Sequence, residues 1–421
     1  MDLMLLYEIR ICFMQQEEIS TRKSVMSLNC EDKAPSRVLC VYATRQIDSN
    51  LFMSGTLFNG LKKCGYEVDV VFMGPHGVLD IFKDKYGHYF RHIFGVIISE
   101  GWLKRYLHSE WVKVLYSFYL HFLKDGFIRP YRRGQLPNLR GHDYRCVLSF
   151  VPPPMSGLFA HDLVSMNNLH HIPLIQFWTD PLSLGRCNDI NEIPIWRCFH
   201  KMLEHRILSY ADRAVFCFPL LCEMEQRLHP EFAQKMTWSD VSYVEHPFDN
   251  GKPHNQQITI GLFGAYQRRV RNIEPLLASL RSFPKVKFII RGDSDVEINP
   301  SDYPNLDILP GRLPSAEVEQ LETQCDILLS LGALAGMTPP GKTFYYANYD
   351  KPIVYISDGV HRDYFIKYLN SLEGRFITCH NTVESIVAGI NNAIALLPNF
   401  ILKIPTRMAP EAIVRRLIDN S

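Results

Sequence analysis

The chain has 421 residues, 47% hydrophobic and 21% charged, with 45 Lys and Arg against 44 Asp and Glu. That length suffices for two or three domains with cores of their own, and the composition excludes extensive disorder. A net charge of +1 excludes a global attraction for nucleic acid, so any basic function must be a local patch.

The opening residues 1–14 are largely apolar, but Glu8 and Arg10 interrupt them, and neither a basic leader nor a small-residue cleavage site follows. Residues 1–35 are expected to be a loose N-terminal extension, with Met26 an alternative start. No apolar run reaches the ~18–20 residues that span a bilayer. The eleven cysteines lack regular spacing, and most lie in apolar runs (Cys40, Cys146, Cys217, Cys325). They read as buried thiols in a reducing compartment, so the expected location is the cytoplasm.

From Arg37 the pattern is regular. Residues 38–43 form a short apolar strand; a loop holding Ser54-Gly55-Thr56 and a helix to Lys63 follow, then a Cys64-Gly65 turn and a strand at 68–72. This spacing implies right-handed parallel crossovers and a doubly wound sheet. Further strands are expected at 146–150, 172–177, 213–217 and 242–244, with helices near 155–166 and 196–210. Residues 101–124 are dense in aromatics and flanked by Arg129, Arg132 and Arg133. They read either as a peripheral membrane contact over 101–133, at the inner face of a membrane, or as an aromatic helix pair buried in the first domain.

The segment 246–257 has no periodicity and is rich in turn formers, as a hinge linker would be. The alternation then restarts: strands at 258–263, 286–291, 306–309, 326–331 and 352–356, a helix to about Ser282, and a helix from Ser315 to Gln324 with Ser315 as its N-cap. The expected plan is therefore a Rossmann-like domain at 36–245, the hinge, a second Rossmann-like domain at 258–400, and a C-terminal helix at 401–421 that returns to the first domain. Two such domains imply an active site in the cleft at the carboxyl ends of their strands.

Gly336-Met-Thr-Pro-Pro-Gly-Lys-Thr343 matches the phosphate-loop pattern G-x-x-x-x-G-K-[ST]. Pro339 and Pro340 lack the N–H groups such a loop aims at phosphates, so a βα crossing with Lys342 at a helix N-terminus, facing an anionic ligand, is the better reading. Arg268, Arg269 and Arg271 follow the Gly264 turn, either as anion ligands or as a solvated basic loop. Gly55 and Gly264 allow close approach of backbone to ligand, or simply make turns. Asp180, just beyond a buried strand, either orients or deprotonates an acceptor hydroxyl, or caps a turn before Pro181. His76 is a second acid–base candidate, with an ordinary loop histidine as its alternative. No spacing suggests a metal site.

The second half resembles glycosyltransferases of the GT-B fold, in particular the large retaining family that includes bacterial polysaccharide and lipopolysaccharide transferases. The resemblance rests on Ile260-Gly-Leu-Phe-Gly-Ala-Tyr-Gln-Arg268, Phe288-Ile-Ile-Arg-Gly292, Leu309-Pro-Gly-Arg-Leu-Pro-Ser-Ala-Glu-Val318, Cys325-Asp-Ile-Leu-Leu329 and Pro340-Gly-Lys-Thr-Phe-Tyr-Tyr-Ala347 with Lys351-Pro-Ile-Val354. It implies an α/β protein of two doubly wound domains that moves a sugar from a nucleotide-sugar donor to a glycan or lipid-linked acceptor, with no cofactor and no metal. It further implies that Gly264, Arg268, Arg269, Gly292, Gly311, Glu317, Lys342, Thr343 and Tyr345 line the donor site; placement along the chain puts Gly55 on the acceptor side and makes Asp180 and His76 the catalytic candidates. The chain departs from the family at its Glu-x7-Glu pair: Met337 and Tyr345 stand there, and Asp350 replaces the glycine before Lys351. That loss keeps a second reading open, a non-catalytic nucleotide- or glycan-binding protein on the same scaffold. A phosphate-loop nucleotidase and a dehydrogenase are further alternatives, the latter without G-x-G-x-x-G in the first βα loop.

Overall fold

The computed structural model describes residues 37–45, 49–98, 112, 115, 116, 118, 119, 129–184, 194–245 and 257–419. The N-terminal extension, nearly all of the hinge and most of the aromatic stretch at 101–133 lie outside these residues. Two sheets organise what is described. The first has seven strands: β1 (Arg37–Ala43), β2 (Glu67–Gly74), β3 (His92–Ile97), β4 (Cys146–Val151), β5 (Leu174–Trp178), β6 (Arg213–Phe216) and β7 (Met236–Trp238), in the order β3-β2-β1-β4-β5-β6-β7. The second has six: β8 (Thr259–Phe263), β9 (Lys287–Gly292), β10 (Leu306–Pro310), β11 (Ile327–Leu331), β12 (Ile353–Ser357) and β13 (Ile377–His380), in the order β10-β9-β8-β11-β12-β13.

Every neighbouring pair of the second sheet is parallel, with Ile260 opposite Phe288 on one side and Ile327 on the other. Both sheets start from a central strand, wind one way for two strands and then restart on the other side, which is the doubly wound topology the alternation implied. The reason lies in composition. Strands such as Val38–Ala43 and Ile327–Leu331 are apolar at consecutive positions, so both faces must be covered, and only crossover helices on both sides of a parallel sheet do that.

The helices are α1 (Ser49–Lys63), α2 (His76–Tyr86), α3 (Pro154–Met166), α4 (Pro194–Tyr210), α5 (Pro219–Leu228), α6 (Glu274–Ser279), α7 (Ser315–Gln324), α8 (Gly341–Tyr345), α9 (Arg362–Asn370), α10 (Val383–Leu396) and α11 (Pro410–Ile418). Packing divides the described chain into two compact units. One takes the chain up to Gln46, Gly65–Phe177 and Ile207–Ala214; the other takes Ile47–Cys64, Trp178–Arg206 and Val215–Ser421. Within the second unit α11 lies along α1: a Cβ on Gly60 would stand 2.4 Å from the Pro410 carbonyl oxygen, so only glycine admits this approach. Buried Asp240 accepts hydrogen bonds from the Tyr368 hydroxyl at 2.5 Å and Arg416 at 2.6 Å, which fastens α9 and α11 to one carboxylate.

Several local expectations fail for identifiable reasons. Gly55 is not in the first βα loop; α1 begins at Ser49 and carries it as a buried mid-helix residue. Ser315 does not cap α7: Pro314 holds the N-cap position without a side-chain bond, and Ser315 is the first helical residue. Residues 242–244 form no strand; the Tyr243 N–H donates to the Met408 carbonyl at 3.3 Å instead of joining a ladder. The edge strands β3 and β13 were not expected, being short and of mixed polarity.

Candidate functional site

The second sheet reverses its strand order between β8 and β11, and ligands of doubly wound proteins bind beyond the carboxyl ends of strands at such a point. Three successive strands there end in glycines with positive φ: Gly264 after β8 at 144°, Gly292 at the end of β9 at 154°, and Gly311 after β10 at 107°. Backbone bonds stitch them together, Gly264 N–H to the Arg291 carbonyl and Gly311 N–H to the Gly292 carbonyl, both at 2.9 Å. Gly292 is the tightest position. A Cβ on it would stand 1.9 Å from the Gly264 carbonyl oxygen, in a backbone region that L side chains rarely adopt. Gly292→Ala is accordingly expected to cost about 3 kcal/mol or more, read as a lowered urea midpoint, because strain and overlap add.

The basic loop behind Gly264 is partly ordered by acidic partners. The Arg268 N–H donates to Asp295 at 2.7 Å, while its exposed guanidinium lies 3.9 Å from Glu274. Arg271 donates to the Ala265 carbonyl at 2.8 Å and so holds the turn rather than extending from it. Arg269 is exposed. Across the switch point, the Leu334 N–H donates to the Val270 carbonyl at 2.9 Å, which ties the loop after β11 to the loop after β8. Arg312, just after Gly311, pairs with Asp293 at 2.6 Å. Glu317 is exposed in the first turn of α7.

The segment expected to bind phosphate has a different internal logic. Lys342 lies 5.5 Å from the centre of the Phe263 ring, so it does stand at the end of β8. Its ammonium, however, is paired with Glu322 of α7, a carboxylate that is nearly buried. Glu322 also accepts from the Tyr346 hydroxyl at 2.9 Å and the Tyr349 hydroxyl at 3.1 Å. Burial and the nearby carboxylate push the Tyr346 phenol well above its ordinary range, so it is a donor at all relevant pH. Lys351 donates to the Glu322, Thr323 and Cys325 carbonyls at 2.8, 3.0 and 2.5 Å, closing the end of α7. Arg375, 3% exposed, donates to the carbonyls of Ala347 at 2.7 Å, Tyr349 at 2.6 Å and both Tyr346 and Lys351 at 3.2 Å. The segment from Lys342 to Lys351 is thus held by one buried carboxylate and one buried guanidinium.

Two expected donor-site residues are therefore structural. Thr343 is fully buried, and its hydroxyl is 2.7 Å from that of Ser330 on β11, so it faces the core. Tyr345 is 9% exposed, its hydroxyl turned back on its own helix 3.2 Å from where a Gly341 Cβ would be. The hydroxyl oxygen is itself buried, so it does not stand open to a ligand. Tyr345→Phe should change stability by less than about 1 kcal/mol and leave nucleotide affinity unchanged, whereas Tyr345→Glu should destabilise by about 3 kcal/mol through a buried charge. Melting points beside calorimetric titrations of both variants check this; a weakened affinity in Tyr345→Phe would restore the residue to the ligand site.

Asp180 stands where expected, two residues past β5 and half-buried. His76 is the first residue of α2 rather than a loop residue, and its exposed ring pairs with Asp80 one turn on at 2.9 Å. Sequence reasoning missed a further cluster altogether. Glu204 of α4, Glu225 of α5 and His229, the residue that ends α5, bring their ligand atoms within 4.8 Å of one another, all three buried. Desolvation, reinforced by Glu204, raises the Glu225 carboxyl to about 9. The legible signal was the four-residue spacing of Glu225 and His229, which puts both on one helix face.

No family model matches the chain, and no curated protein matches it in sequence. Solved structures do match. The lipopolysaccharide outer core galactosyltransferase WaaB superposes with a TM-score of 0.51 at 11% identity, over 91% of this chain and all of that one. A glycosyltransferase from Rickettsia africae ESF-5 (TM-score 0.49, 12% identity, 92% and 95% coverage) and the calicheamicin glycosyltransferase CalG4 (0.47, 10%, 92% and 98%) are also similar. With its two doubly wound parallel sheets and its end-to-end superposition on WaaB, the chain has the GT-B fold of glycosyltransferases.

Proposed function

We propose that the protein is a glycosyltransferase that moves a sugar from a nucleotide-sugar donor to a glycan or lipid-linked acceptor, in polysaccharide or glycolipid assembly. The observation that carries this reading is the stitched rim of Gly264, Gly292 and Gly311 beside Arg268, Arg269 and Lys342, at the strand ends of a sheet with dinucleotide-type winding order. Backbone can approach a ligand closely at such a rim, and the cations compensate the charge that grows on a departing diphosphate. In this reading Arg268, Arg269 and Lys342 hold the diphosphate and Glu317 meets the nucleoside. Asp180 orients or deprotonates the acceptor hydroxyl, and His76 is the second candidate for that proton. The transfer needs no cofactor and no metal at the reacting atoms. The aromatic stretch at 101–133 supplies a peripheral contact with the inner face of a membrane; among the described residues no helix is long and apolar enough to cross one.

A thermal-shift panel of nucleoside diphosphates and their sugars tests the donor class. A ligand at a hundred times its Kd adds about 2.7 kcal/mol of apparent stability. One nucleoside diphosphate and its sugar should raise the melting point together, and Arg268→Ala with Arg269→Ala should abolish the shift. A response to ATP with magnesium alone would return the phosphate-loop reading, and silence across the panel would count against a nucleotide-sugar donor.

A further inference from the structure

A buried acidic cluster normally survives only when each polar atom finds a partner. Glu204 meets that condition: its Oε1 accepts the Leu182 N–H and, at 2.9 Å, the Ser183 N–H, and its Oε2 accepts the Ser183 hydroxyl. The other two members do not. Both carboxylate oxygens of Glu225 and the Nε2 of His229 are buried without a hydrogen-bond partner among the described residues, and Glu225 is 0% and His229 1% exposed. The His229 Nε2 points at Glu204, 3.7 Å from its Oε2. Nearby groups among the described residues include Glu231, 4.0 Å from the other ring nitrogen of His229, His205, which pairs with Glu231 at 3.2 Å, and the buried thiol of Cys222, close enough to Glu225 to feel its charge.

We infer that Glu204, Glu225 and His229 form a binding site for a single zinc-type divalent cation. Two ionised carboxylates in a dry environment are costly, and one divalent cation neutralises them as its binding displaces the proton of Glu225. Direct sharing of a proton between Glu225 and a neighbour would need a contact of about 2.5–3.0 Å, and none exists among the described residues. One imidazole and two carboxylates, with metal–ligand distances near 2.0–2.2 Å, suit zinc and exclude the all-oxygen preference of magnesium and calcium. In such a shell the donor atoms stand about 3.4 Å apart, so the widest gap here closes by on the order of 1 Å. Glu231 lies 4.0 Å beyond the far nitrogen of His229, outside hydrogen-bond reach, and would have to close by about 1 Å to orient a ligating imidazole.

The ion would be structural. Glu204 fixes residues 182 and 183, two and three residues after Asp180, so the cation would clamp that segment to α4 and α5. This inference stands apart from the donor-site reading, because none of these residues is assigned to nucleotide binding.

The test uses the full chain, stripped with a strong chelator and dialysed against zinc alone. One zinc per chain should remain by elemental analysis, with a melting point several degrees above the stripped protein. Glu225→Gln and His229→Gln should each lose that equivalent or weaken its Kd at least tenfold, while His205→Gln should keep it. Zinc-edge X-ray absorption of the unmutated protein keeps the outcome readable if a variant fails to fold: a shell of nitrogen and oxygen is expected. A sulfur-rich shell would put the metal on cysteines and overturn the site. So would zinc content unchanged in both variants, or a stripped chain that neither takes up zinc nor melts differently with it.

Discussion

Replacing Lys342 with Ala is expected to lower transfer about a hundredfold and, unlike an ordinary surface Lys substitution, to destabilise the protein as well. The first effect follows from losing one charge-assisted contact to a diphosphate, on the order of 2–3 kcal/mol. The second follows from the partner. Glu322 is nearly buried, and without the ammonium its carboxylate keeps only the hydroxyls of Tyr346 and Tyr349. Because Lys342 is itself one-third exposed, water recovers part of that loss, and about 2 kcal/mol remains. The double substitution Lys342→Ala with Glu322→Gln separates the two roles. Removing both charges should restore the melting point while leaving nucleotide affinity and turnover low. Should the double variant regain turnover along with stability, Lys342 is only the counter-ion of Glu322.

Arg375→Ala is expected to be the most destabilising single change in the second sheet's unit. The side chain is buried and reaches four backbone carbonyls between Tyr346 and Lys351. Burial pulls the guanidinium down to about 9; even so it stays charged near neutrality, which makes each of these bonds charge-assisted. Alanine takes the guanidinium from all four carbonyls, of which those of Tyr346 and Tyr349 keep the N–H groups of Tyr349 and Lys351 at 2.9 Å, at a cost of about 3–5 kcal/mol and a fall in melting temperature of roughly 10 °C. Lysine recovers little, since a single ammonium cannot reach carbonyls fanned around a planar fork. A melting point within about 2 °C of the unmutated protein would show that water replaces the lost donors.

The sequence by itself determined the winding of both sheets. Consecutive apolar residues in β1, β4, β8, β11 and β12 require cover on both faces, and only a parallel, doubly wound arrangement provides it. It also located the glycine turns after β8, β9 and β10, since positive φ beside a crowded backbone leaves glycine as the residue that fits. Tertiary structure alone decided which polar side chains are spent on the fold. Nothing local shows that Lys342 pairs with Glu322 twenty residues before it, that Thr343 turns to Ser330, or that Arg375 cradles the 346–351 segment. The same holds for Glu204, which meets Glu225 and His229 from another helix. A side chain's periodicity says which face it occupies, but the partner on that face comes from a distant part of the chain. In a low-dielectric interior that partner decides whether a charge serves a ligand or the fold.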